Sequence, residues 1–162
     1  MKRAIIRVML LAPLALVFGC GYQESMVALD PSAVLPECTV QARQSMQDII
    51  VRVTIANHTQ RSFQLMSWNL PKSGRMTTDL FQVTRDGVPV QYTGIMMKRE
   101  VSRSDYVSIP PGKAFSADIP LQQGYDVRSS GKYTIVYSAF NSQFDSPGVK
   151  DLVSMPATLT KH

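Results

Sequence analysis

Apolar side chains occupy every second position in Ile49, Val51, Val53 and Ile55, with Ile50, Arg52, Thr54 and Ala56 between them. Successive side chains of a strand point to opposite faces, so this period of two predicts a strand with one apolar face. Asn57-His58-Thr59-Gln60 supplies a turn, after which Phe63, Leu65 and Trp68 form the next apolar face. Residues 80–85 and 88–92 are two further strand-like runs, separated only by Asp86-Gly87. A type I′ turn needs positive φ at both central positions, which Asp-Gly accommodates, so this is a hairpin. Pro89 has no N–H for a ladder, so its strand is expected either at a sheet edge or paired with its nitrogen facing outward.

Strands are also predicted over 95–100, 106–109, 114–121, 132–140 and 153–159, with a first run opening at Cys38-Thr39-Val40. Pro110-Pro111-Gly112 and Ser129-Ser130-Gly131 punctuate them. Beyond the first hydrophobic run, no stretch of about ten residues carries a helical stripe. About 7–8 short strands, with turn signals every 8–12 residues or so, predict an all-β, immunoglobulin-like antiparallel sandwich. A closed barrel is the alternative, disfavoured because Pro89 and the long segment 69–79 imply open edges. Tyr133 opens the alternation Tyr133, Ile135, Tyr137 just after Asp126 and Gly131. It is expected to form a tyrosine corner, its phenol bonded to backbone a few residues upstream.

The N-terminus changes the picture of where this sandwich resides. Lys2, Arg3 and Arg7 precede an apolar run from Val8 to Phe18, and Gly19-Cys20 follows it. The run is too short for a membrane span, which needs about 20 apolar residues, and it has the parts of a secretory signal. Val17-Phe18-Gly19-Cys20 resembles a bacterial lipobox, with Phe18 departing from the usual small residue. The resemblance implies a signal peptide over 1–19, lipidation of Cys20, a tether over 20–38 and a folded domain over 39–162. Gly21 after the cysteine, in place of Asp, implies transport to the outer membrane in a Gram-negative host. An ordinary secretory signal cut nearby is the alternative.

Removing the first 19 of 162 residues leaves 143, one domain's worth. Three basic residues leave and no acid does, so the formal charge falls from +5 to +2. Basic residues are scattered rather than blocked, which argues against nucleic acid as a partner. If Cys20 carries lipid, Cys38 is left without an intramolecular partner and reads as a buried structural thiol; without lipid, a Cys20–Cys38 bridge stays open.

Candidate chemistry is sparse. His58 and His162 are the only histidines, short of the three ligands of a hydrolytic zinc, and His58 reads as a solvated turn residue. Cys38 with His58 is the one conceivable nucleophile pair, and nothing in the sequence brings them together. Asp79 and Asp86 could pair only in space; turn acids are usually solvated caps. Seven methionines after the signal, Met26, Met46, Met66, Met76, Met96, Met97 and Met155, are dispersed and read as packing and interface residues rather than copper ligands. No cofactor, metal or catalytic residue is expected.

Residues 80–90, then Tyr92-Thr93-Gly94-Ile95-Met96-Met97-Lys98-Arg99, then 105–112 and Gly131-Lys132-Tyr133 follow one another in an order and spacing that carry information. They resemble the non-catalytic N-terminal β-domain of deuterolysin-like (aspzincin, peptidyl-Lys type) metalloendopeptidases, over roughly residues 48–140. Tyr92-x-Gly94-x-x-x-Lys98-Arg99 is the most specific element. In that family a zinc domain follows; this chain ends at His162, so no catalytic residue is carried over. The resemblance implies a protein-binding companion of such a protease, as inhibitor or folding assistant. A structural or assembly accessory of the envelope is the alternative. Trp68, Tyr92, Met96, Met97, Lys98 and Arg99 are the candidate contacts, since aromatics, Met and Arg are enriched at interfaces. Their ordinary reading is core, rim and solvated strand end. Asp86, Gly87 and Tyr133 are structural.

Overall fold

The computed structural model describes residues 35–71, 73–141 and 151–162. The lipobox-like segment, Cys20 and nearly all of the expected tether lie outside them. Ten strands are present among the described residues: β1 (Glu37–Ser45), β2 (Asp48–Ala56), β3 (Phe63–Met66), β4 (Phe81–Arg85), β5 (Val88–Pro89), β6 (Tyr106–Ile109), β7 (Ala114–Pro120), β8 (Gly131–Ala139), β9 (Leu152–Val153) and β10 (Ala157–Lys161). One sheet has the order β1-β2-β7 and a second the order β10-β8-β4-β5, all antiparallel, while β3 pairs with β6 alone.

This is the strand order of an immunoglobulin-like sandwich, with A-B-E on one side and G-F-C-C′ on the other. The apolar faces of the two sheets meet in one core. Ile49, Val51, Val53 and Ile55 of β2 are fully buried against Tyr133, Ile135 and Tyr137 of β8 and Phe81 and Val83 of β4. The outward face of the first sheet is polar: Arg52 donates two bonds to Asp118, at 2.7 and 2.9 Å, and Thr54 pairs with Ser116 at 2.7 Å.

The tyrosine corner is present: the Tyr133 hydroxyl donates to the Ser129 carbonyl at 2.7 Å. Asp86 and Gly87 take φ of 52° and 82°, as the β4–β5 hairpin demands, and Asp86 Oδ1 accepts the Lys132 N–H at 2.8 Å. β5 with Pro89 is an edge strand.

Four expectations need correction. Residues 95–100 form no strand: Ile95, Met96 and Met97 run consecutively without alternation. The strand expected over 153–159 is broken into β9 and β10, since Pro156 has no N–H. Ser154 fills the break: its N–H donates to the Tyr137 carbonyl and its hydroxyl accepts the Tyr137 N–H, both at 3.0 Å. β1 starts at Glu37, ahead of the expected domain start at 39. Trp68 belongs to a short 3₁₀ turn, Ser67–Asn69, rather than to the β3 face.

Cys38 is buried and bonded to no cysteine among the described residues, and burial, aided by the Glu37 charge, pushes its thiol up to about 11. His58 is exposed and sits 2.9 Å from the Glu37 carboxylate. Asp79 and Asp86 stand at opposite ends of β4, roughly 20 Å apart at about 3.3 Å per residue, so they form no pair.

Candidate functional site

In an immunoglobulin-like sheet the D strand commonly continues the A-B-E sheet beyond E. Here β6, the D equivalent, pairs with β3 instead, and β7 is left as the edge of its sheet. A groove of about 400 Å³ is lined from both sides of this gap, by Leu65 of β3, Val107 of β6 and Phe115 of β7. Trp68, Leu70, Pro71, Arg75, Thr77 and Arg99 complete its walls among the described residues.

Buried amides fix the turn that carries Trp68. Asn141, fully buried, accepts the Met66 N–H at 2.9 Å and donates to the Gln64 carbonyl at 3.0 Å, standing in for a neighbouring strand along β3. Asn69 donates to the Phe140 carbonyl at 2.8 Å, and its own carbonyl accepts the Tyr137 hydroxyl at 2.7 Å. Burial raises the Tyr137 phenol well above its ordinary value, so it remains a donor. The indole of Trp68, half-buried, is therefore presented from a rigid mount.

The segment 92–101 is an arch fastened at both ends. At its start the Tyr92 ring lies between Gly94 and Gly124: a Cβ on either would come within 2.7 and 2.3 Å of ring atoms. The ring also meets Tyr125 edge-on, with centroids 5.3 Å apart, and its hydroxyl donates to the Ile95 carbonyl at 2.7 Å. Burial, then the charge of Asp79, raises the Tyr92 phenol above its ordinary value. Tyr125 donates to Asp79 and to the Phe81 carbonyl, tying this corner to β4. The spacing Tyr92-x-Gly94 is thus a packing requirement, and Tyr92 is a pin more than a contact.

At the far end Arg99 stacks over the Trp68 ring, 5.0 Å from guanidinium carbon to centroid, and donates to Thr77 Oγ1 at 2.9 Å and Met97 Sδ at 3.2 Å. The Met97 N–H bonds the Thr77 carbonyl at 3.0 Å. Ser102 and Asp105 then close the arch with reciprocal capping bonds of 2.9 and 3.1 Å before β6 begins. Between these fastenings the arch exposes Ile95, Met96, Met97 and Val101 by 50, 72, 54 and 42%. Four large apolar side chains within seven residues form a patch beside the groove. Lys98 is also exposed.

Of the residues singled out from sequence, Trp68, Met97 and Arg99 are brought together. Met96 and Lys98 are on the same arch, and Tyr92 anchors its other end. Arg75, Val107 and Phe115 escaped sequence reasoning because they converge from separate elements; Asn69 and Asn141, polar residues beside apolar runs, were the available hint. Among the described residues no three His, Cys, Asp or Glu side chains gather as metal ligands.

The chain has relatives among proteases. The extracellular protease of Aeromonas hydrophila is 35% identical over 94 residues, 57% of this chain and 27% of that protease. Probable neutral protease 2 homologs of Arthroderma benhamiae and Trichophyton verrucosum are 24% and 23% identical over 107 residues. Those alignments take in 59% of this chain and 28 and 29% of the two homologs. No family model matches the chain. The chain thus spans little more than a quarter of the length of the curated relatives it matches. The expected kinship with a protease-borne domain stands at that level.

Proposed function

We propose that this chain is a non-enzymatic protein-binding module, related to the non-catalytic β-domain of deuterolysin-like metallopeptidases and acting as companion to such a protease. A lipid on Cys20 would hold it at the outer membrane. The observation that carries this reading is the partial match. Similarity reaches just over a quarter of each protease, and more than half of this chain, whose described part is a sandwich presenting an apolar arch beside a groove. Exposed apolar patches of this kind mark interaction surfaces, and methionine suits a surface that must adapt to its partner.

A pull-down with the full chain against secreted and envelope proteins tests the reading. Recovery of a metallopeptidase whose activity or refolding changes on adding the chain supports it. Recovery of envelope proteins alone, with no effect on aspzincin activity, favours the structural accessory. Radiolabelled palmitate incorporation, lost in Cys20→Ser, tests the anchor.

A further inference from the structure

We infer that the groove beside Trp68 binds an extended segment of a partner polypeptide, seating one apolar side chain against its floor and one carboxylate on Arg75 and Arg99. This rests on the protein-binding reading above and specifies what that surface recognises.

Volume, lining and charge agree on such an occupant. At about 400 Å³ the groove is within the range of sites that take ligand-sized groups, roughly 300–1,000 Å³. Its floor is apolar, built by Leu65, Val107 and Phe115, with the Trp68 indole at one wall. Among the described residues, both ionisable groups in its lining are guanidiniums, Arg75 and Arg99, and no carboxylate lines it. Arg75 is exposed, and among the described residues it makes no ion pair. Arg99 spends one nitrogen on Thr77 and Met97 and lies over the Trp68 ring, and these contacts fix the position of its fork. A guanidinium presents five donors, so capacity for a carboxylate remains. The nearby carboxylate that senses Arg99, Asp105, is already engaged by the Ser102 N–H and hydroxyl, at 2.9 and 2.8 Å. An apolar floor under two cations, preorganised by the Asn69 and Asn141 network, selects an apolar-acidic segment over a neutral or basic one.

Trp68 is the only tryptophan in the chain, so its emission reports on this groove alone. The test titrates the full chain with blocked hexapeptides carrying one leucine and one glutamate at each possible spacing, with glutamine and lysine counterparts. Saturable change in Trp68 emission is expected with at least one glutamate peptide. Its glutamine counterpart should bind roughly tenfold more weakly, and the lysine one not measurably. Arg75→Gln, which removes an exposed side chain, should abolish the preference for glutamate while leaving the far-ultraviolet spectrum unchanged. Preference should also fade toward about 1 M salt, where the Debye length is about 3 Å. Equal titration by glutamate and glutamine peptides, or no emission change with any, overturns the proposal. Protease capture by Arg75→Gln at wild-type strength would overturn the groove assignment while leaving the protein-binding reading intact. Loss of both peptide and protease binding by the unsubstituted chain would overturn both.

Discussion

The Tyr133 hydroxyl reaches the Ser129 carbonyl at 2.7 Å while its ring is wholly buried, so one side chain ties the turn before β8 to the core. The bond closes the passage from β7 to β8, between sheets. Tyr133→Phe keeps the ring and leaves a carbonyl short of a donor. A loss of about 1–2 kcal/mol is expected in urea denaturation, with the fold unchanged.

Tyr92 and Gly124 are matched in the same sense, ring against bare backbone. Gly124 has φ of −135°, which any residue adopts, so its requirement is space and not conformation. Gly124→Ala puts a Cβ 2.3 Å from the Tyr92 ring and is expected to cost about 2 kcal/mol. Adding Tyr92→Ala should make the alanine nearly harmless, a coupling that a double-mutant cycle reads directly. An additive result would mean that the ring is not what the glycine accommodates.

Lys161 is buried at the end of β10, and its ammonium donates to the carbonyls of Gln47, Val127 and Arg128 at 2.8, 2.6 and 2.9 Å. These tie the β1–β2 turn and the loop before β8 to the last strand. Lys161→Met retains the length and removes all of the donors. A loss of about 2–3 kcal/mol by thermal or urea unfolding is expected, with faster amide exchange at β10.

Acid should weaken the domain in a defined window. The Arg52 fork beside Asp118, and the Ser102 N–H and hydroxyl on Asp105, hold both carboxyls below the usual carboxylate range. Arg128 does the same to Asp126. A depressed folded value means that the stabilisation is present above the unfolded value of about 3.9 and is lost as pH falls through the folded one. Stability should be flat from neutrality to about pH 5 and decline below about pH 4, and Asp118→Asn should soften that decline. These groups are in contact with solvent, so the effect should also shrink with salt.

Much of the sandwich was legible because burial in a sheet leaves a period of two in the sequence. β2 and β8 carry that period without interruption, and Asp86-Gly87 and Tyr133 add turn and corner chemistry that act locally. Residues 95–100 misled because β-prone apolar residues there face outward, held by an arginine on a distant tryptophan and not by a ladder. The turn between β1 and β2 was also silent, since neither of its central residues, Met46 with φ of 53° and Gln47, is a usual turn residue. The site was half legible. Trp68, Met97 and Arg99 were visible as residue types suited to an interface, but their meeting depends on β6 leaving β7 for β3, a tertiary event with no local signature. Arg75 had no signal at all.

On the function proposed above, this chain engages a deuterolysin-like metallopeptidase through the arch and groove. Calorimetric titration of the full chain into such a protease, supplied without its own copy of the β-domain, tests it most directly. Saturable one-to-one binding is expected, weakened roughly tenfold or more by Trp68→Ala and by Met97→Ala. Absence of binding at concentrations of about 100 μM, or equal binding by both variants, would contradict it.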